Sequence, residues 1–107
     1  MRNKNKFDQR AFDRFCETLS SISSPDEVRK FLTELLTDNE RLDVALRWHL
    51  MELLQAGVSQ RKIAEQLSVS LCKITRGSKI LKDQEGVASR KLKGYDLLNI
   101  EESEKNC

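Results

Sequence analysis

Residues 57–82 read GVSQRKIAEQLSVSLCKITRGSKILK, and their pattern decides the fold. Ser59 is suited to N-cap a helix, because its hydroxyl can accept an orphan backbone N–H. Ile63, Ala64, Leu67, Val69 and Ile74 are apolar where two short helices crossing at a tight turn must touch. Ser68 holds the turn position, where such units often have Gly. The second helix carries Lys73, Arg76, Lys79 and Lys82, with no acidic residue between Gln66 and Lys82. This is the outline of a helix-turn-helix over 59–82 whose second helix enters a DNA major groove.

Charge is distributed to match. Residues 1–58 hold nine Lys/Arg against ten Asp/Glu, and residues 83–107 hold four against six. Residues 59–82 hold six bases against one acid, Glu65, so the whole-chain charge of +2 conceals a concentrated basic element. Neutralising phosphates requires local rather than total charge. Arg61 on the first motif helix, with Ser70, Cys72, Lys73, Thr75 and Lys79 on the second, are the residues expected to approach double-stranded DNA. Arg61 is a candidate guanine reader.

With four Gly, one Pro and 34% charged residues in 107, the composition favours one small all-α domain. No apolar run approaches the roughly 20 residues that span a bilayer, and MRNKNK has no apolar signal core, so no membrane partner is expected. Cys16, Cys72 and Cys107 are odd in number and widely spaced, which suggests neither a disulfide framework nor a zinc site and places the chain in the reducing cytoplasm.

Outward from the motif, Phe12, Phe15, Leu19 and Ile22 recur at helical spacing and predict a helix from about Phe7 to Ser21. Ser24-Pro25-Asp26-Glu27 is a capping box with Pro at the first helical position, and Val28, Phe31, Leu32 and Leu35 form the stripe expected to be buried. Thr37-Asp38-Asn39-Glu40 is a second box, starting the longest helix, which ends at Gly57. Leu71 and Ile74 read as the core stripe of the second motif helix. Residues 87–98 predict a last helix interrupted at Gly94. The expected organisation is a mobile arm over 1–6, a helical DNA-binding and dimerisation domain over 7–99, and a solvated tail over 100–107.

Between Leu42 and Leu54 nine of thirteen residues are apolar, and at 100° per residue they cover nearly the whole circumference. A chain this small has too few other helices to surround such a helix. A second copy is expected to supply the cover, giving an interleaved homodimer. Two recognition helices about one duplex turn (~34 Å) apart would then read a palindromic operator.

Over about Phe31 to Lys82 the sequence resembles the bacterial tryptophan repressor family. The resemblance is carried by LLTDNER (Leu35 to Arg41), ELL (Glu52 to Leu54), SQR (Ser59 to Arg61) and ITRGS (Ile74 to Ser78). Arg followed by Gly midway along a recognition helix is a specific signature, since Gly there is otherwise a poor choice. The resemblance implies an all-helical interleaved homodimer that takes L-tryptophan as corepressor and then clamps operator DNA.

It also implies a ligand site. Arg76 and Arg47 match the arginines on the two faces of the indole, Arg47 also reaching the ligand carboxylate. Thr37 and the backbone carbonyls up to Leu36, from the partner subunit, match the loop around the ligand's polar end. Gly77 matches a position where the ligand approaches the backbone. Arginine suits this role because its planar fork both stacks on aromatics and binds carboxylate. One position departs: the family has Ser one turn after the stacked Arg, and this chain has Ile80. The expected ligand is therefore L-tryptophan with fewer polar contacts, or a related indole.

Taken singly these residues have plainer readings. Arg47 can pair with Asp43 one turn earlier, Arg76 can contact phosphate, and Thr37 can simply cap a helix. Catalysis finds no support: His49 is the only histidine, on an apolar helix, and no nucleophile–His–acid set, phosphate-cradling Gly loop or metal-ligand cluster is present. Besides a tryptophan-activated repressor, a constitutive regulator without a small-molecule ligand and a helical adaptor binding acidic protein partners fit the pattern.

Overall fold

Six helices and, among the described residues, no strand make up residues 7–94 of the computed structural model. They are α1 Gln9–Ser20, α2 Pro25–Leu35, α3 Asp38–Gln55, α4 Gln60–Leu67, α5 Leu71–Lys82 and α6 Val87–Lys93. The expected arm over 1–6, the end of the last helix beyond Gly94, the tail over 100–107 and Cys107 lie outside the described residues.

Five of the six helices start where a side chain supplies an acceptor, and α6 starts at Gly86 without one. Asp8, Ser24, Ser59 and Ser70 cap α1, α2, α4 and α5, each side chain accepting a backbone N–H three residues on. Pro25 occupies the first turn of α2, where a missing N–H is harmless. Thr37 forms a reciprocal box ahead of α3: its Oγ1 accepts from Glu40 N–H at 3.1 Å, and Glu40 Oε1 accepts from Thr37 N–H at 2.9 Å. The end of α3 is a Schellman arrangement. Gly57 takes φ 91°, while Val58 N–H donates to Leu53 O and Gly57 N–H to Leu54 O.

The chain divides into two compact units that meet between Arg41 and Leu42. In the first, Phe15 and Phe31 stack with ring centroids 6.0 Å apart. The Arg41 guanidinium ties down the α2–α3 turn, donating to Thr33 O and Leu36 O and pairing with Asp38. No residue from 7 to 41 is buried, however. The α2 stripe is only half-covered and Leu35, expected inside, is 53% exposed.

The second unit has a core. Leu50, Met51 and Leu53 of α3 meet Ile63 of α4, Ile74 of α5 and Leu92 of α6, none more than 5% exposed. Fully burying such a side chain contributes about 1.5–3 kcal/mol. Trp48, Leu54, Val58, Ala64, Leu67, Val69 and Leu81 pack around them. The motif contacts read from the sequence are therefore present, and α4 packs on α5 with α5 packed in turn on α6.

Leu71 corrects the sequence reading: it is 59% exposed rather than part of the α5 core stripe. The buried line of α5 runs through Ile74, Gly77 and Leu81. At 100° per residue Leu71 lies about a quarter-turn away from the centre of that line. The α3 reading divides likewise: Leu50, Met51 and Leu53 are covered, whereas Leu42 and Val44 stand 54% and 53% exposed.

Candidate functional site

The turn that orients the recognition helix is held by an unusual residue. Ser68 closes α4 with φ 54° and ψ 44°, the left-handed region that an L side chain enters at a cost. Val69 then returns the chain to the core, and Ser70 caps α5 by accepting from Lys73 N–H at 3.4 Å. Capping at the start of α5 leaves Leu71, Cys72, Lys73 and Thr75 exposed along its first turns. Arg61 is exposed on the first turn of α4.

Gly77 fixes how closely α5 lies against α3. A Cβ built on it would stand 2.6 Å from Leu50 Cδ1, closer than real Cβ atoms approach, and 3.2 Å from Met51 Cγ, a tight contact. The glycine is thus buried at a helix–helix contact. Its neighbour Arg76 is exposed and lines the same two hollows as Arg47 of α3.

Two of the hollows within the second unit are lined by both Arg47 and Arg76. The larger is an open groove of about 760 Å³ lined by Arg47, Leu71, Cys72, Lys73, Thr75, Arg76 and Lys79. The smaller is a cleft of about 30 Å³ between α3 and α5, lined by Arg47, Leu50, Met51, Lys73, Arg76, Gly77 and Ile80. Four cations line the groove and three line the cleft, and no carboxylate lines either. Such a concentration of one charge sign on low-dielectric walls attracts anions.

Residues read separately as DNA-facing (Cys72, Lys73, Thr75, Lys79) and as ligand-facing (Arg47, Arg76) therefore share one groove. Gly77 and Ile80 join Arg47 and Arg76 in the cleft, and Ile80 is 43% exposed there. Arg61 and Ser70 line neither hollow. Thr37 and Leu36 belong to the first unit, where Thr37 caps α3 and the Leu36 carbonyl accepts from Arg41. Leu71, Leu50 and Met51 were missed as lining residues, since their apolar character reads as core. For Leu71, counting the angular offset from Gly77 rather than from Ile74 alone would have found it.

His49 is in use structurally, its Nδ1 lying 3.1 Å from Glu52 Oε1 one turn on. Cys16 and Cys72 are free and exposed. Among the described residues no cluster of His, Cys, Asp and Glu is arranged to hold a metal ion, and no helix is long and apolar enough to cross a membrane.

The profile described as Trp repressor protein matches residues 10–95. A Trp operon repressor homolog of Actinobacillus succinogenes is 43% identical over 72 residues, covering 66% of this chain and 71% of that protein. One from Chlamydia trachomatis is 38% identical over 87 residues, covering 77% and 85%. Another, from Xylella fastidiosa, is 37% identical over 76 residues, covering 70% and 83%. No solved structure matches.

Proposed function

Since the chain belongs to the Trp repressor protein family, a family of DNA-binding transcriptional regulators and not of enzymes, we propose that it is a homodimeric repressor whose grip on operator DNA is set by an indole ligand. The observation that carries this reading is the shared groove. The cations of the recognition helix and the Arg47–Arg76 pair occupy one carboxylate-free surface, so occupancy at the arginines acts directly on the helix that meets DNA.

In this reading α5 enters the major groove from its N-terminal end. Ser70, Cys72, Lys73, Thr75 and Lys79 approach the duplex, and Arg61 reaches a base edge or phosphate from α4. An indole lies between the guanidinium planes of Arg47 and Arg76, with Gly77 and Ile80 beneath it. Thr37 and Leu36 of a second copy complete the polar end of the site. The second copy also covers Leu35, Leu42 and Val44, three large apolar side chains each more than half exposed. Large apolar side chains left in water are what a partner surface would cover.

The ligand acts only through its difference in affinity for the DNA-competent and incompetent forms, so DNA must tighten the ligand by the same factor. The test is fluorescence anisotropy on a duplex selected from random sequence, with and without millimolar L-tryptophan. Ligand-dependent tightening that Arg76→Leu abolishes is the expected result. Equal affinity with and without ligand would make the chain a constitutive regulator, and no duplex selected at low salt would leave the adaptor reading. Sedimentation at micromolar concentration should give a dimer that Leu42→Asp dissociates.

A further inference from the structure

The open groove along α5 suits more than one polyanion. Arg47, Lys73, Arg76 and Lys79 line it, and Leu71 stands 59% exposed among them. The reading above requires this face to stay uncovered so that a duplex can seat on it, and a surface open to phosphates is open to other clustered anions. The sequence supplies one nearby. After Gly94, the last described residue, the chain reads YDLLNIEESEKNC over 95–107, with four carboxylates (Asp96, Glu101, Glu102, Glu104) against one base, Lys105. Three of the four fall within residues 101–104, and apolar Leu97, Leu98 and Ile100 precede them. By contrast, the motif from 59 to 82 holds a single acid, Glu65.

Reach does not prevent a contact. Residues 95–107 continue from α6, which packs on α5. From Gly94 to Glu104 the chain can span up to about 33 Å when extended, whereas all of α5 is about 18 Å long at 1.5 Å per residue. We propose that the glutamates of residues 101–104 dock on the cations of the α5 groove as an internal phosphate mimic, so that DNA must displace the chain's own acidic segment in order to bind. This rests on the DNA-binding part of the reading above and adds a regulation to it. A tethered group acts at an effective concentration of about 1 mM, while nonspecific duplex binds with a Kd of about 10⁻⁴–10⁻⁶ M. The segment weakens every duplex by the same factor. Nonspecific complexes, which have no base contacts in reserve, are the ones that this factor empties.

The test uses the full chain carrying Glu101→Gln, Glu102→Gln and Glu104→Gln together, with anisotropy on a random-sequence duplex over a salt titration. The variant should bind about tenfold more tightly than wild type at low salt. Its salt dependence should be steeper, and the gain should vanish at high salt, where the internal contact is itself screened. Asp83→Asn with Glu85→Gln, which removes two exposed carboxylates from the α5–α6 turn, controls for net charge and should change affinity little. Position is read separately. Cys72 is free and lines the groove, and Cys107 follows Glu104 by three residues. In a Cys16→Ser background a short bismaleimide should join Cys72 to Cys107 within one chain, and excess duplex should block the link. Equal affinity of wild type and the glutamine variant overturns the inference and leaves DNA binding intact. An equal gain per charge from the control pair overturns it too, as does a link that forms only between chains. If wild type binds no duplex at any salt, the DNA-binding reading falls and the inference with it.

Discussion

Residues 7–41 and 42–94 start their helices with the same devices and cover their apolar residues to very different degrees. The first unit has an Asp cap, a Ser cap with Pro behind it and a complete Thr/Glu box, yet none of its described residues is buried. The second relies on Ser59 and Ser70 caps worth no more, and closes six apolar side chains away from solvent. Helix caps say where a helix starts; they say nothing about what it packs against. Caps are worth about 1 kcal/mol each, and a short helix without a covered face remains marginal in water. In the dimeric reading proposed above, the first unit is the region that a second copy would cover; the second has a core of its own on which α5 is seated.

The contrast can be broken most forcefully in the second unit. Ile74→Ala, at a fully buried position in the cluster that α3, α4, α5 and α6 form, should cost about 2–5 kcal/mol in denaturant unfolding; a loss below about 1 kcal/mol would mean the core is not where the structure has it. Gly77→Ala comes next. Its Cβ would press on Leu50 and Met51, so a loss of about 1–3 kcal/mol is expected, with parallel weakening of DNA binding as α5 is pushed outward. Thr37→Ala removes the box before α3 and should cost about 0.5–2 kcal/mol. If the first unit is covered by a second copy, the melting temperatures of wild type and Thr37→Ala should both rise with protein concentration, because association stabilises by mass action. The smallest effect has the opposite sign: Ser68→Gly relieves a left-handed Ser and should raise stability by about 0.4–1 kcal/mol. An unchanged or lower melting temperature for that variant would contradict the turn geometry.

Much of this was legible in the residues and some was not, for identifiable reasons. The helix starts were readable because a cap is local: Ser24, Thr37, Ser59 and Ser70 act on N–H groups three residues away. The Ile63–Ile74 crossing was readable because the two helices are joined by three residues, leaving little choice of partner. Leu35 and Leu71 were misplaced because periodicity identifies a stripe without saying which edge of it is covered. For α5 that edge was decided by Gly77, a residue with no hydrophobicity to score. The convergence of Lys73 on the Arg47–Arg76 cleft was hidden too, since it depends on how closely α3 and α5 approach.

Gly77 has a mechanical meaning as well. It is the seventh of the twelve residues of α5, and the absence of a side chain there puts the helix backbone itself against Leu50 and Met51. Such a contact is a fulcrum. Leu71 lies six residues, about 9 Å, up the helix from it at 1.5 Å per residue. A rocking of about 10° about that point would swing Leu71 by about 1.6 Å, close to half of the ~3.4 Å between stacked bases. Arg76 sits beside the pivot, where a short stroke is most amplified in displacement at the far end of the helix. In the ligand-gated reading proposed above, a molecule wedged at Arg76 would work the short arm of a lever whose long arm carries the end of α5 that meets DNA, and a small displacement at the wedge would become a larger one along the duplex.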